Sequence, residues 1–102
     1  MAKGYWIGRV DVTDPDAYKN YVAANAAAFV KYGARFLVRG GAFESKEGAP
    51  RARNVVIEFK DFETAKACYH SAEYTAAIEK RKGAAEVDML VIEGYDGPQP
   101  QG

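Results

Sequence analysis

Cysteine is nearly absent. Cys68 stands alone in 102 residues, so no intrachain disulfide can form, and the chain fits a reducing compartment. Histidine is as scarce, with His70 alone, and no second His or Cys lies at ligand spacing from it, which argues against a zinc-type metal site. An excess of either charge is also missing: Lys plus Arg and Asp plus Glu each number 14. A nucleic-acid binder shows a basic excess or stripe, and neither is visible. No apolar run approaches the ~20 residues that span a bilayer. The stretch MAKGYWIGRVDV lacks an apolar segment of signal-peptide length. These absences predict a soluble, cytoplasmic protein with no nucleic-acid or membrane partner.

What is present is a core. Hydrophobic residues make up 48% of the chain and aromatics 13%, with seven tyrosines; such a composition is globular rather than disordered. The length suits one domain. It is placed at residues 1–97, with the Gly- and Pro-rich residues 98–102 as an extended tail.

Periodicity predicts the elements. Residues 4–12 (GYWIGRVDV) alternate as a strand. A helix follows, with Asp14 as N-cap, Pro15 at the first helical position and Gly33 as the stop. Its inner stripe is Tyr18, Tyr21, Val22, Asn25, Phe29 and Tyr32. Residues 34–47 read as a second strand, 47–50 (EGAP) as a turn, and 51–60 as a third strand. A second helix begins after Asp61, breaks at His70–Ser71, is capped again by Ser71 and ends at Gly83. Residues 86–95 form the last strand. The order βαββαβ, with right-handed crossovers, gives a ferredoxin-like α+β fold: an antiparallel sheet of order 4-1-3-2 with its helices on one face.

Strand parity sorts the sheet into two faces. Trp6, Val10, Val12, Phe36, Val38, Val55, Ile57, Phe59, Leu90 and Ile92 are expected beneath the helices. Tyr5, Ile7, Arg9, Arg35, Leu37, Arg39, Asn54, Val56, Glu58, Val87, Met89, Val91, Glu93 and Tyr95 are expected on the other face. With a four-residue loop at 47–50, Arg39 falls opposite Glu58; a bulge at Gly40 or Gly41 would break that count. The second face mixes an apolar patch with balanced charges. Burying its six aliphatic residues is worth on the order of 10 kcal/mol, against an association cost of ~4–15 kcal/mol. A homodimer formed face to face is therefore expected, through Tyr5, Ile7, Arg9, Leu37, Arg39, Val56, Glu58, Met89, Val91 and Glu93. Dimers could associate further into a dimer of dimers.

Gly8, Gly40 and Gly94 fall on the expected helix side and leave space there. Tyr18, Tyr21, Asn25, His70, Ser71 and Tyr74 are the polar groups expected around it. An apolar space with a few polar groups is the make-up of a small-molecule pocket; alternatively, the tyrosine rings fill it. His70 could act as a general base, although a lone histidine at a helix break more often caps or faces solvent. Cys68 reads as a buried small hydrophobe and Ser71 as an N-cap. Arg9, Arg39, Glu58 and Glu93 read as interface ion pairs. Arg51, Arg53, Lys80, Arg81 and Lys82 read as solvated charges.

The segments GYWIGRVDVTDPDAYKNYVAAN, FLVRGG, RNVVIEF and CYHSAEYTAAIEKR resemble the family named domain of unknown function 1330. The resemblance spans roughly residues 3–97. It implies membership of the dimeric α+β barrel superfamily, in which ferredoxin-like subunits pair through their sheets. Superfamily relatives include cofactor-independent monooxygenases, small-lactone isomerases, haem peroxidases and ligand-sensing domains, a shared fold without a shared chemistry. The expectation is a homodimer holding a small, mostly apolar organic molecule between sheet and helices. If it is an enzyme, it is a cofactor-independent isomerase or oxygenase. The rival reading is a module whose only activity is self-association. A ferredoxin-like RNA binder stacking bases on Tyr5 and Tyr95 is disfavoured by the neutral charge.

Overall fold

The computed structural model describes residues 2–101. Strand β1 (Gly4–Val12) leads into helix α1 (Pro15–Tyr32), then β2 (Arg35–Arg39), β3 (Arg53–Phe59), α2 (Phe62–Tyr69), α3 (Ala72–Arg81) and β4 (Ala85–Glu93). The strands form one antiparallel sheet of order β2-β3-β1-β4. This is the expected order read from the opposite edge, and the fold is ferredoxin-like.

The helix boundaries follow their caps. Asp14 accepts the Ala17 amide, Pro15 occupies the first turn, and Gly33 ends α1 at φ 67°, a left-handed conformation that favours glycine. Asp61 accepts the Thr64 amide to begin α2. His70 closes that helix. Ser71 then accepts the Tyr74 amide while donating to the Cys68 carbonyl, so one side chain ends one helix and starts the next.

Trp6 is the centre of the core. It is fully buried, its indole Nε1 donates to the Ala65 carbonyl at 2.8 Å, and its ring meets Phe29, Phe59, Tyr69 and Tyr74 at 4.7–5.5 Å. Burying a ring of this size contributes about 4–6 kcal/mol of transfer free energy. The indole bond couples β1 to α2 and fixes where the helical layer sits above the sheet.

Two strands differ from the expected faces. In β4, Val91 pairs with Trp6, Met89 with Gly8 and Val87 with Val10. Directly paired residues share a face, so Val87, Met89, Val91 and Glu93 belong to the helix side. Leu90 and Ile92 take the other side, 49% and 46% exposed. Four consecutive apolar residues, Met89 to Ile92, leave alternation ambiguous, and pairing with β1 resolves it. In β2, a bulge between Phe36 and Val38 shifts the register: Arg35 pairs with Glu58, Phe36 with Ile57, Val38 with Val56 and Arg39 with Val55. Val38 therefore moves to the outer face and Arg39 to the helix side, so the expected Arg39–Glu58 pairing is replaced by Arg35–Glu58. The strand also ends at Arg39, well short of residue 47. Gly40 turns the backbone at φ 67°, and residues 40–52 form an exposed connection.

Arg51 ties that connection back to the sheet. Its guanidinium reaches Asp88 at 2.7 Å, Asp11 at 2.9 Å and Glu86 at 3.2 Å, and Asp11 also accepts the Ala52 amide. It was expected as a solvated charge. Three carboxylates from β1 and β4 hold it instead.

Candidate functional site

The helix side of the sheet carries a cavity of ≈ 30 Å³, room for about two water molecules. Its floor is Trp6, Gly8, Val10, Val55 and Ile57, and the inner stripe of α1 (Tyr18, Tyr21, Val22, Asn25, Phe29) roofs it. A Cβ at Gly8 would lie 3.0 Å from Met89 Cε and 3.2 Å from Met89 Sδ. The thioether of Met89 thus occupies most of the space that the missing side chain leaves. Methionine has three rotatable bonds and fills irregular gaps without rigidity, so this wall of the cavity is adjustable.

Arginine dominates the polar part. Arg39 from β2, Arg53 from β3 and Arg81 from α3 all line the cavity, and no carboxylate does. Arg39 lies over the Phe36 ring at 4.1 Å and Arg81 over the Tyr21 ring at 5.1 Å, contacts that hold a guanidinium without neutralising it. The Nε atoms of Arg53 and Arg81 are buried without a hydrogen-bond partner. By contrast, Arg51 is paired with three carboxylates and Lys31 with Glu73.

The hydroxyl groups nearby are donors rather than bases. Tyr21 and Tyr74 share a hydrogen bond of 2.6 Å behind the cavity. Burial, then proximity to Tyr21, raises the pKa of Tyr74 far above the ordinary phenol value, and the same two causes raise that of Tyr18. The Cys68 thiol donates to the Ala28 carbonyl at 3.8 Å, and burial pushes its pKa up to about 12. It has no thiolate character near neutrality. Among the described residues no group of His, Cys, Asp or Glu is arranged to hold a metal, and no helix is long and apolar enough to cross a membrane.

Of the residues expected around the pocket, Gly8, Tyr18, Tyr21 and Asn25 line the cavity together. Tyr74 stands one layer behind, joined through the Tyr21 hydroxyl. Four others do not take part. His70 is exposed at the end of α2 and packs edge-on against Tyr69. The Ser71 hydroxyl is consumed by capping. Gly40 is a turn residue beside the Arg53 guanidinium. Gly94 likewise adjoins Tyr5 and the Lys3 backbone rather than the cavity.

Of the residues expected at a dimer interface, Tyr5, Ile7, Arg9, Val56 and Glu58 share the outer face by register, and Leu37 is 45% exposed at the bulge. Met89, Val91, Glu93 and Arg39 lie on the helix side instead.

Arg53 and Arg81 are the residues that sequence reasoning missed. Their signals were there: Arg53 has the parity of Val55, Ile57 and Phe59, and Arg81 lies seven residues after Tyr74 on the inner face of α3.

Several solved structures share this fold. A protein of unknown function from Rhodopseudomonas palustris is 18% identical with a TM-score of 0.66, over 97% of this chain and 85% of that one. SnoaB, a cofactor-independent oxygenase from Streptomyces nogalater, is 12% identical with a TM-score of 0.61, over 98% and 97%. A dimeric ferredoxin-like protein of unknown function from Thermobifida fusca is 14% identical with a TM-score of 0.58, over 90% and 89%. At these identities the likeness is one of fold. No curated protein matches the sequence. The domain of unknown function family DUF1330 matches residues 3–95, nearly the whole chain, and the protein belongs to that family.

Proposed function

We propose that this protein is a homodimer that holds a small organic molecule between its sheet and helices. One observation carries the ligand reading: Tyr18, Asn25, Arg39, Arg53 and Arg81 converge on an otherwise apolar cavity over Gly8. Few, convergent polar groups in an apolar space are what a small-molecule site requires. The lining has no His, Cys, Lys or carboxylate, so a reaction there would rely on hydroxyl, amide and guanidinium groups. These orient a substrate and stabilise negative charge on it, which suits a cofactor-independent isomerase or oxygenase.

The outer face supports the dimer. Leu90 pairs with Ile7, Ile7 with Val56, and Val56 with Val38, so one apolar row crosses all four strands. Leu90 and Val38 are 49% and 44% exposed. A flanking row places Ile92, Tyr5, Glu58 and Arg35 side by side. A patch of this kind marks an interaction surface, and a two-fold pairing of two copies would set the same patch against itself.

Native mass spectrometry of protein taken directly from cells tests both parts. A dimer carrying a small mass that is lost on denaturation is expected. Ile7→Lys should give monomers in sedimentation. A wild-type monomer would remove the assembly. A ligand-free protein that binds nothing from a fragment library would leave the second reading, self-association alone, which the small cavity under Met89 favours.

A further inference from the structure

The cavity is electrostatically lopsided in a chain whose net charge is zero. Arg39, Arg53 and Arg81 reach it from three different elements, with no carboxylate in the lining. Every ion pair formed among the described residues uses other cations. Gathering like charges without counter-charge is costly in a partly buried site, and a buried guanidinium N–H without an acceptor adds to that cost. Arg53 and Arg81 each contain such a group. The fold therefore maintains an unneutralised, donor-rich spot beside an apolar one. Guanidinium groups match carboxylates in geometry, offering paired donors in one plane.

We infer that the ligand is an organic anion: its carboxylate sits on Arg53 and Arg81, with Arg39 at the edge, and its apolar body lies against Phe29, Phe36 and Met89. This rests on the ligand-site reading above and specifies the class of molecule. The Tyr18 hydroxyl, kept protonated by burial, adds a donor and no competing charge. Displacement of the Met89 side chain from over Gly8 makes room for the body, because the atoms nearest the glycine are the flexible end of that chain.

The test compares phenylacetate with phenylacetamide, which share shape and differ in charge. Benzoate with benzamide and hexanoate with hexanamide serve as further pairs. Amide resonances of Gly8, Val55 and Met89 are followed by NMR during titration, alongside the melting temperature. At least one carboxylate should move these resonances and raise the melting temperature, with its amide about tenfold weaker or worse. Arg53→Gln and Arg81→Gln should each weaken that carboxylate by about tenfold, whereas Lys19→Gln, on the exposed side of α1, should not. Should either variant fail to fold, the acid–amide comparison on the wild type still decides. Equal binding of acid and amide would overturn the anion inference and leave the ligand site standing. Should no acid or amide disturb the cavity resonances at millimolar concentration, both readings fall.

Discussion

The hydroxyl groups of Tyr21 and Tyr74 lie 2.6 Å apart, joining α1 to α3 within the helical layer. Both rings are buried, and the two residues stand 53 positions apart in sequence. Removing one hydroxyl takes this partner from the other and leaves it only the Arg81 guanidinium. Tyr74→Phe should cost about 1 kcal/mol, and Tyr21→Phe a similar amount. The double variant should cost clearly less than the sum of the two. Urea unfolding of the four proteins measures this coupling, and strict additivity would show that the bond contributes nothing.

Met89→Ala should enlarge the cavity over Gly8. The loss of packing should destabilise the protein by about 1–3 kcal/mol. A benzene-sized apolar probe should then raise the melting temperature of the variant and leave the wild type unchanged. An equal response of the two proteins would mean that Met89 is not the wall that closes the space.

Alkaline pH should destabilise the fold before neutral or mildly acidic pH does. The Cys68 thiol has an ordinary value of 9.0 and is pushed up to about 12 by burial, and Tyr74 is raised from 10.0. Both groups are held neutral in the folded chain. Between pH 9 and 12 the unfolded chain releases these protons and the folded chain keeps them, so stability is full below pH 9 and declines as pH rises. Cys68 should account for about 1–2 kcal/mol of the loss by pH 10.5. Denaturant midpoints at pH 7.5 and 10.5 should differ by less for Cys68→Ala than for the wild type. An identical decline would clear Cys68 of the effect.

Acid should release the connection at 40–52 locally. The Ala52 amide, and then Arg51, hold the Asp11 carboxyl below its ordinary value of 3.8. A depressed carboxyl contributes its stabilisation above that value and loses it as pH falls further. The protection factor of the Ala52 amide against hydrogen exchange should drop below about pH 3.8, ahead of the β1 amides. Asp11→Ala, which removes the acceptor, should show the low protection at every pH. Simultaneous loss across the sheet would mean that Arg51 and Asp11 govern global rather than local opening.

Most of the architecture could be read from local signals. The cap residues Asp14, Asp61 and Ser71, the stop at Gly33, and the break at His70 all act over a few residues, and each lies where its chemistry requires. The inner stripe of α1 was equally legible, so Tyr18, Tyr21 and Asn25 were found together. The faces of β2 and β4 were not, because they depend on partners distant in sequence. Met89, Leu90, Val91 and Ile92 satisfy either parity. One extra residue in the β2–β3 pairing was enough to carry Arg39 across the sheet.

By itself, the sequence determined the elements, their order and the ferredoxin-like topology, since propensity, capping and crossover handedness act locally or admit few arrangements. Only the tertiary structure decided which side chains share a face. Strand pairing turns every side chain of a strand in or out at once, so the gathering of Arg39, Arg53 and Arg81 around one cavity, and the placing of Leu90 beside Ile7, arose from register and not from composition.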